Sequence, residues 1–130
     1  MKSDRSKIVG YLDNEFSIFI RKRDGIFDEN SREYIGICIT CDTTSALEAG
    51  HFIDRQHMQF RYDPKNVYGQ CKTCNEFRKG NIKAYKEKLI KLHGIELIEY
   101  MEIARRKPFK ISNRELSELL KYYKRINKRG

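Results

Sequence analysis

The chain carries four cysteines, and they fall in two pairs, Cys38-x2-Cys41 and Cys71-x2-Cys74, with no thiol left over. This spacing constrains the fold more than any other feature. Two C-x2-C hooks can present four thiolate sulfurs to one tetrahedral zinc, which draws the hooks together and closes residues 42–70 into a loop long enough for a strand hairpin. The start MKSDRSKIVG lacks the apolar run of a signal peptide, and no stretch approaches the roughly 20 apolar residues that span a bilayer. A cytoplasmic protein is expected, with no membrane partner. In a reducing compartment the hooks read as a structural zinc site, Cys38, Cys41, Cys71 and Cys74, rather than as disulfides.

At 130 residues, 39% hydrophobic and 35% charged, the chain is expected to form one domain, or one domain with an appendage. Its core should be thin, with the metal supplying stability that packing does not. The net charge of +9 is one-sided. Residues 1–75 hold eleven basic and eleven acidic side chains, whereas residues 76–130 hold sixteen and seven. Such a balance points to a polyanionic partner, and with no amphipathic membrane anchor in the pattern that partner is nucleic acid.

Residues 5–23 place Ile8, Leu12, Phe16, Phe19 and Ile20 at helical spacing, and Asp24-Gly25 ends the run. The segment 34–41, YIGICITC, reads as a strand running into a cysteine knuckle, with Asp42–Ser45 as loop. Residues 49–54, AGHFID, and Phe60–Tyr62 read as the two strands of the hairpin. After the second hook, Ile82, Tyr85, Leu89 and Leu92 recur at helical spacing up to Gly94. A further helix covers 95–106 and is closed by Pro108. A capping box, Ser112 to Glu115, opens the last helix, whose stripe of Leu116, Leu119, Leu120, Tyr123 and Ile126 suits a core or a dimer interface.

Phosphodiester hydrolysis needs a base to activate water, a divalent cation to neutralise the phosphate, and a group that orients the base. His51, inside the closed hairpin, suits the first role, since a histidine is largely unprotonated at neutral pH. Its ring can be held by an amide side chain or a backbone carbonyl, and Asn66 is the candidate. Arg55, Arg61, Arg78, Lys79 and Lys83 flank the motif and suit a bound phosphate backbone. Arg105, Arg106, Lys107, Lys121, Lys124, Arg125, Lys128 and Arg129 offer a second basic surface. His57 reads as an exposed loop histidine, and His93 as a helix C-terminal residue favoured by the dipole.

Taken in order, Cys38-x2-Cys41, Gly50-His51, Asn66, Cys71-x2-Cys74-Asn75 and Lys79-Gly80-Asn81 resemble the zinc-stapled HNH, or ββα-metal, endonucleases. More narrowly, AGHFIDR, RYDPKNV, QCKTCN and GNIKAY resemble the NinG (Rap) recombination family of lambda-type phages, over about Asp13 to Ile103. The resemblance implies a Mg2+- or Mn2+-dependent endonuclease acting on branched DNA such as Holliday junctions and D-loops, in the host cytoplasm and beside other recombination proteins. It assigns His51 as general base, Asn66 as the residue positioning it, and Asn75 as a ligand of the catalytic cation. In many such nucleases an aspartate or histidine that binds the cation precedes the base, whereas here that position is Gly50. Asp54 is therefore carried as a further ligand, with Asp42 and Glu48 as alternatives.

The expected architecture is α+β: an N-terminal helix and linker (1–33), a zinc-stapled ββα-metal module (34–93), and basic C-terminal helices (94–130) packed on or beside it. The rival expectation is a zinc-stapled DNA-binding or adaptor protein that keeps the module without the catalytic cation.

Overall fold

A computed structural model describes residues 3–129, so Met1, Lys2 and Gly130, at the ends of the first and third expected segments, lie outside the described residues. The first helix, α1 (Asp4–Asp24), is capped by Ser3, whose hydroxyl accepts from the Ser6 N–H at 3.1 Å. Leu12, Phe16 and Ile20, one helical turn apart, form its buried face. The last helix, α5 (Asn113–Arg129), packs against them with Leu116 and Tyr123. Its capping box is formed: the Ser112 hydroxyl accepts from the Glu115 N–H at 3.1 Å, and the Glu115 carboxylate accepts from the Ser112 N–H at 3.2 Å. Phe16 meets Tyr123 edge to face at 5.1 Å, and each such buried side chain contributes about 2 kcal/mol. The apolar stripe of α5 thus closes the protein's own core.

Five short strands form two sheets. β1 (Gly25–Asp28), β2 (Glu33–Ile37) and β3 (Thr44–Ala46) are antiparallel in that order. β4 (Glu48–His51) pairs antiparallel with β5 (Val67–Gln70), placing Gly50 opposite Tyr68 and His51 opposite Val67. Several expectations are corrected here. Segment 1–33 is not helix and linker alone, since a boundary after residue 33 cuts the β1–β2 hairpin. The strand over 34–41 ends at Ile37, because Cys38 donates its N–H to Thr43 and accepts from Asp42, which makes the first hook a tight turn. Asp42–Ser45 is not all loop, as β3 begins at Thr44.

The second arm of the hairpin is Val67–Gln70, not Phe60–Tyr62, which lies in and just after the one-turn helix α2 (Met58–Arg61). The buried Asn66 side chain explains the displacement. Its Oδ1 accepts from the Ile53 N–H at 2.8 Å, while its Nδ2 donates to the carbonyls of Ile53 and Phe60 at 2.9 and 3.0 Å. Residues 53–66 are thereby folded into a closed loop, and pairing resumes only after Asn66.

After β5 the chain makes one wide π-helical turn, Thr73–Phe77, and then three residues of positive φ, Lys79, Gly80 and Asn81. Only there does α3 (Ile82–His93) begin, followed by α4 (Ile95–Ala104). A second core joins Phe52, Ile53 and Phe60 to Tyr85, Leu89, Ile98 and Met101. Tyr85 pins α3 across the β4–β5 pair, because its hydroxyl donates to the Gly50 carbonyl at 2.6 Å and accepts from the Tyr68 N–H at 2.9 Å.

The four cysteine sulfurs all lie within 4.8 Å of one another and are free of disulfides. A tetrahedral thiolate site with arms of about 2.3 Å has sulfur–sulfur edges of about 3.8 Å. The Cys41 and Cys71 sulfurs stand 3.7 Å apart, so the cluster is positioned to hold a metal ion and suits zinc. Thr40 and Thr43 hydroxyls lie 3.2 and 3.3 Å from the Cys38 and Cys41 sulfurs, and Asn81 Nδ2 donates to Cys74 at 3.5 Å. Burial alone would raise the Cys38 thiol, but the Thr40 hydroxyl and neighbouring backbone N–H groups bring it down to about 6. Burial pushes Cys71 up to about 12.

Position 50 is glycine for a packing reason. A Cβ there would stand 1.8 Å from Oε1 of Gln70, a wholly buried side chain whose Nε2 donates to the Gly80 carbonyl at 2.9 Å and to Thr40 at 3.1 Å.

Stripping the metal with a strong chelator is expected to lower the thermal midpoint by more than about 10 °C, with one metal equivalent released. Calorimetry with metal analysis checks this, and an unchanged midpoint counts against a structural cluster. Gly50→Ala should cost roughly 1–3 kcal/mol by overpacking. The same change in a Gln70→Ala background should cost less, so urea titration of the double-mutant cycle should show coupling.

Candidate functional site

His51 ends β4 with its ring half-buried, where two clefts meet. One, of about 340 Å3, is walled by α1 residues Gly10, Asp13, Asn14 and Ser17. The other, of about 460 Å3, brings His51 together with Asp54, Arg55, Asn75, Lys79 and Gly80. Because β4 stops at His51, Asp54 escapes the strand alternation that would turn it away, and it lines the same cleft as the histidine.

The ring of His51 is oriented by a backbone carbonyl. Nε2 lies 2.9 Å from the Arg61 oxygen, and since a carbonyl only accepts, Nε2 carries the proton and Nδ1 keeps its lone pair. Burial lowers the His51 pKa below its usual 6.5; the carbonyl bond opposes this, while the positive charges of Arg55 and Arg61 reinforce it. The ring is therefore neutral at pH 7. Direct orientation of His51 by Asn66 is corrected: all of that amide's bonds go to Ile53 and Phe60, and it acts by shaping the loop that presents the Arg61 carbonyl.

That carbonyl is itself fixed from α1. Asp13 accepts from Arg61 through Nε at 3.0 Å and Nη2 at 2.6 Å, from Arg55 Nη2 at 2.6 Å, and from the Tyr62 hydroxyl at 2.7 Å. Burial would raise Asp13, yet the bonds from Arg61 and Tyr62 outweigh it and hold the carboxyl below its usual range. Arg61 is thus a structural cation, its side chain only 16% exposed and bonded also to the Arg55 carbonyl, which corrects its expected place among the free DNA contacts. Arg55 keeps more than half of its side chain exposed and lines both clefts. Arg78, Lys79 and Lys83 are exposed.

Asn75 follows the last cysteine within the wide turn, and its Nδ2 donates to Glu48 at 2.8 Å. Among the described residues nothing donates to its Oδ1. The neighbouring Glu48 carboxyl holds that of Glu76 above its usual range. Asp42 pairs with Lys88 in a separate cleft that includes Tyr68 and Leu92, away from His51. His57 caps α2, and His93 Nε2 lies 2.6 Å from the Tyr68 hydroxyl. Arg106, Lys107, Lys121, Lys124, Arg125, Lys128 and Arg129 are exposed, and Arg105 is half-buried.

Asp13, Tyr62 and Gln70 were not legible as site residues. The bonds of Asp13 to Arg61 and Tyr62, and of Gln70 to Thr40, span 30 to 49 positions in sequence, and no local pattern marks them.

No helix of the described residues is long and apolar enough to cross a membrane. No solved structure matches the chain. The family model described as Bacteriophage Lambda NinG protein matches residues 3–129. The proteins named Protein ninG of Escherichia phage 933W and Salmonella phage P22 are each 30% identical over 101 residues, which cover 75% of this chain and 46% and 45% of theirs. The Protein ninG of Escherichia phage lambda is 29% identical over the same length, with 75% and 45% covered. The chain spans about half the length of the curated relatives it matches. With nearly every residue inside the family model, the chain belongs to the NinG family.

Proposed function

We propose that this chain is a metal-dependent DNA endonuclease of the HNH type, acting on branched recombination intermediates. The observation that carries the reading is the state of His51: a neutral ring, fixed through Nε2 by a carbonyl, with Nδ1 free in a cleft that also holds Asp54, Asn75, Arg55 and Lys79. The β4–β5 pair followed by α3, beside four clustered thiols, supports the ββα-metal reading of the module. In this reading the cluster holds structural zinc and touches no substrate.

In the proposed reaction, Nδ1 of His51 takes the proton of the attacking water. Arg55 and Lys79 bind the phosphate oxygens and fix the scissile bond against the base. Asn75 through Oδ1 and Asp54 through its carboxylate are the oxygen donors the cleft offers a Mg2+ or Mn2+ ion. Such an ion, when bound, neutralises charge that develops on the phosphate. The positioning chain Asp13, Arg61, His51 keeps the base from turning away. Contacts to phosphate alone suit an enzyme that recognises DNA shape, which favours branched DNA over a base sequence.

A synthetic four-way junction with Mg2+ or Mn2+ should be nicked by the wild type, and His51→Ala should lower the rate by about 10²- to 10⁴-fold. Binding without nicking under any divalent cation would identify a DNA-binding module instead. The pH profile carries a signed expectation. A base whose pKa is lowered stays unprotonated further into acid, so the rate should hold down to pH 6.5 and fall only below it. The linked stability runs the same way: the unfolded chain takes up this proton more readily, so His51 favours unfolding as pH drops below 6.5.

Asp13→Ala strips the carboxylate from two guanidinium groups and a phenol. It should cost about 2 kcal/mol in urea titration and, under conditions where the chain stays folded, about ten-fold in rate. An unchanged rate would remove Asp13 from the positioning chain.

A further inference from the structure

Phe77 is 76% exposed, which for a phenylalanine in a chain that buries Phe16, Phe52 and Phe60 needs a reason. It sits in the wide turn Thr73–Phe77, two residues after Asn75 and two before Lys79, both of which line the His51 cleft. Lys72, Arg78, Lys79 and Lys83 stand exposed along the same stretch, with Glu76 as the nearby acid.

The pedestal is rigid. Cys74, a member of the thiolate cluster, lies within the turn, and its carbonyl accepts from the Gly80 N–H at 2.8 Å. The Arg78 N–H returns to the Thr73 carbonyl at 2.8 Å, and Lys79, Gly80 and Asn81 all hold positive φ. Two of these are not glycine, a costly backbone of the kind that accumulates where function fixes a loop, and single π-helical turns concentrate at the same places. Ile82, 44% exposed, opens the helix that follows.

An aromatic ring held out from a basic, rigid turn beside a phosphate-sized cleft matches the way proteins take hold of unpaired bases: the cations track the backbone and the ring stacks on a base, whatever its identity. In a continuous duplex every base already has stacking neighbours on both sides. At a branch point, gap or flap, a base lacks one neighbour, and the ring can replace it. We infer that Phe77 is a base-stacking residue that selects DNA with an unpaired or unstacked nucleobase next to the scissile phosphate. This rests on the nuclease reading for the phosphate but concerns binding, and its test needs no cleavage.

The chain has no tryptophan, so Phe77→Trp introduces a single reporter at the position in question. Titrating that variant with a four-way junction, a single-stranded oligonucleotide and a continuous duplex, in a buffer without added divalent cation so that the junction stays open and uncut, reads stacking directly as indole quenching. The junction and the single strand should quench strongly and the duplex weakly. In parallel, Phe77→Ala should bind the junction about ten-fold more weakly than wild type and reduce the ratio of junction to duplex affinity. Because the side chain is exposed, both variants should keep the wild-type circular dichroism and metal content. An indole that stays unquenched while the junction binds, or an unaltered affinity ratio in Phe77→Ala, overturns the inference and leaves the nuclease reading standing. Failure of every DNA to bind overturns both. Strong quenching by the junction with no nicking by the wild type under Mg2+ or Mn2+ separates the two the other way: the stacking inference stands and the nuclease reading falls.

Discussion

The four sulfurs from two hooks some thirty positions apart lie within 4.8 Å of one another, and the cleft beside His51 hangs from that cluster. Cys71 and Cys74 fix the end of β5 and the wide turn, so Asn75 reaches the cleft as the direct neighbour of a cysteine, with Lys79 just beyond the turn. Cys38 connects through Thr40 to the buried amide of Gln70, which in turn holds the Gly80 carbonyl at the rim of the same cleft. A chain with 35% charged residues has little apolar surface with which to impose such order. Four sulfurs placed to hold one metal ion answer that shortage without a large core, and they stand where the backbone is least regular.

The second constraint comes from the other end of the sequence. Asp13 on α1 grips Arg61 and Tyr62, and the carbonyl of Arg61 holds the imidazole, so the N-terminal helix is a wall of the site and not an appendage to it. At its far end α1 does the same for β5: Asp24 accepts from the Gly69 N–H at 2.8 Å, and Arg23 donates to the Val67 carbonyl at 2.8 Å with its guanidinium 4.5 Å from the centre of the Tyr68 ring. The core with α5 locks this helix in place. A ring oriented by a backbone carbonyl depends on everything that positions that backbone, which is why α1, α5 and the loop closed by Asn66 all bear on one imidazole.

What could be read in the sequence was what has a local period or a fixed spacing. Leu12, Phe16 and Ile20 announced α1, Ser112 and Glu115 announced the start of α5, and the two C-x2-C hooks announced the metal cluster. The parts that escaped are held by contacts between residues distant in sequence. Phe60 and Tyr62 alternate as aromatic strand residues do, yet they lie in and just after a short helix, held by a buried amide several residues away and by Asp13 on another helix. The strand Val67–Gln70 contains a glycine and only one β-branched residue, and it forms because the loop before it ends at Asn66. Arg61 resembles its exposed neighbours in type; what sets it apart is a two-point grip on Asp13, where Arg55 makes one bond and stays exposed.

The glycine before His51 is where sequence and structure bear on each other most directly. By resemblance to HNH nucleases, position 50 would carry an acid that binds the catalytic cation; here a Cβ at that position would collide with the amide of Gln70, so no acid fits without repacking. The same amide ties the thiolate cluster to the rim of the cleft, which means that the volume an acidic side chain would need is already used to transmit order from the cluster to the site. In the proposed nuclease the oxygen donors would come from the opposite direction. The early end of β4 at His51 releases the chain so that Asp54 lines the cleft, and the wide turn after Cys74 brings Asn75 to it. Under the nuclease reading, the two departures from regular structure, a strand that stops one residue after Gly50 and a helical turn too wide for an α-helix, would bring to the cleft the donors that Gly50 does not offer.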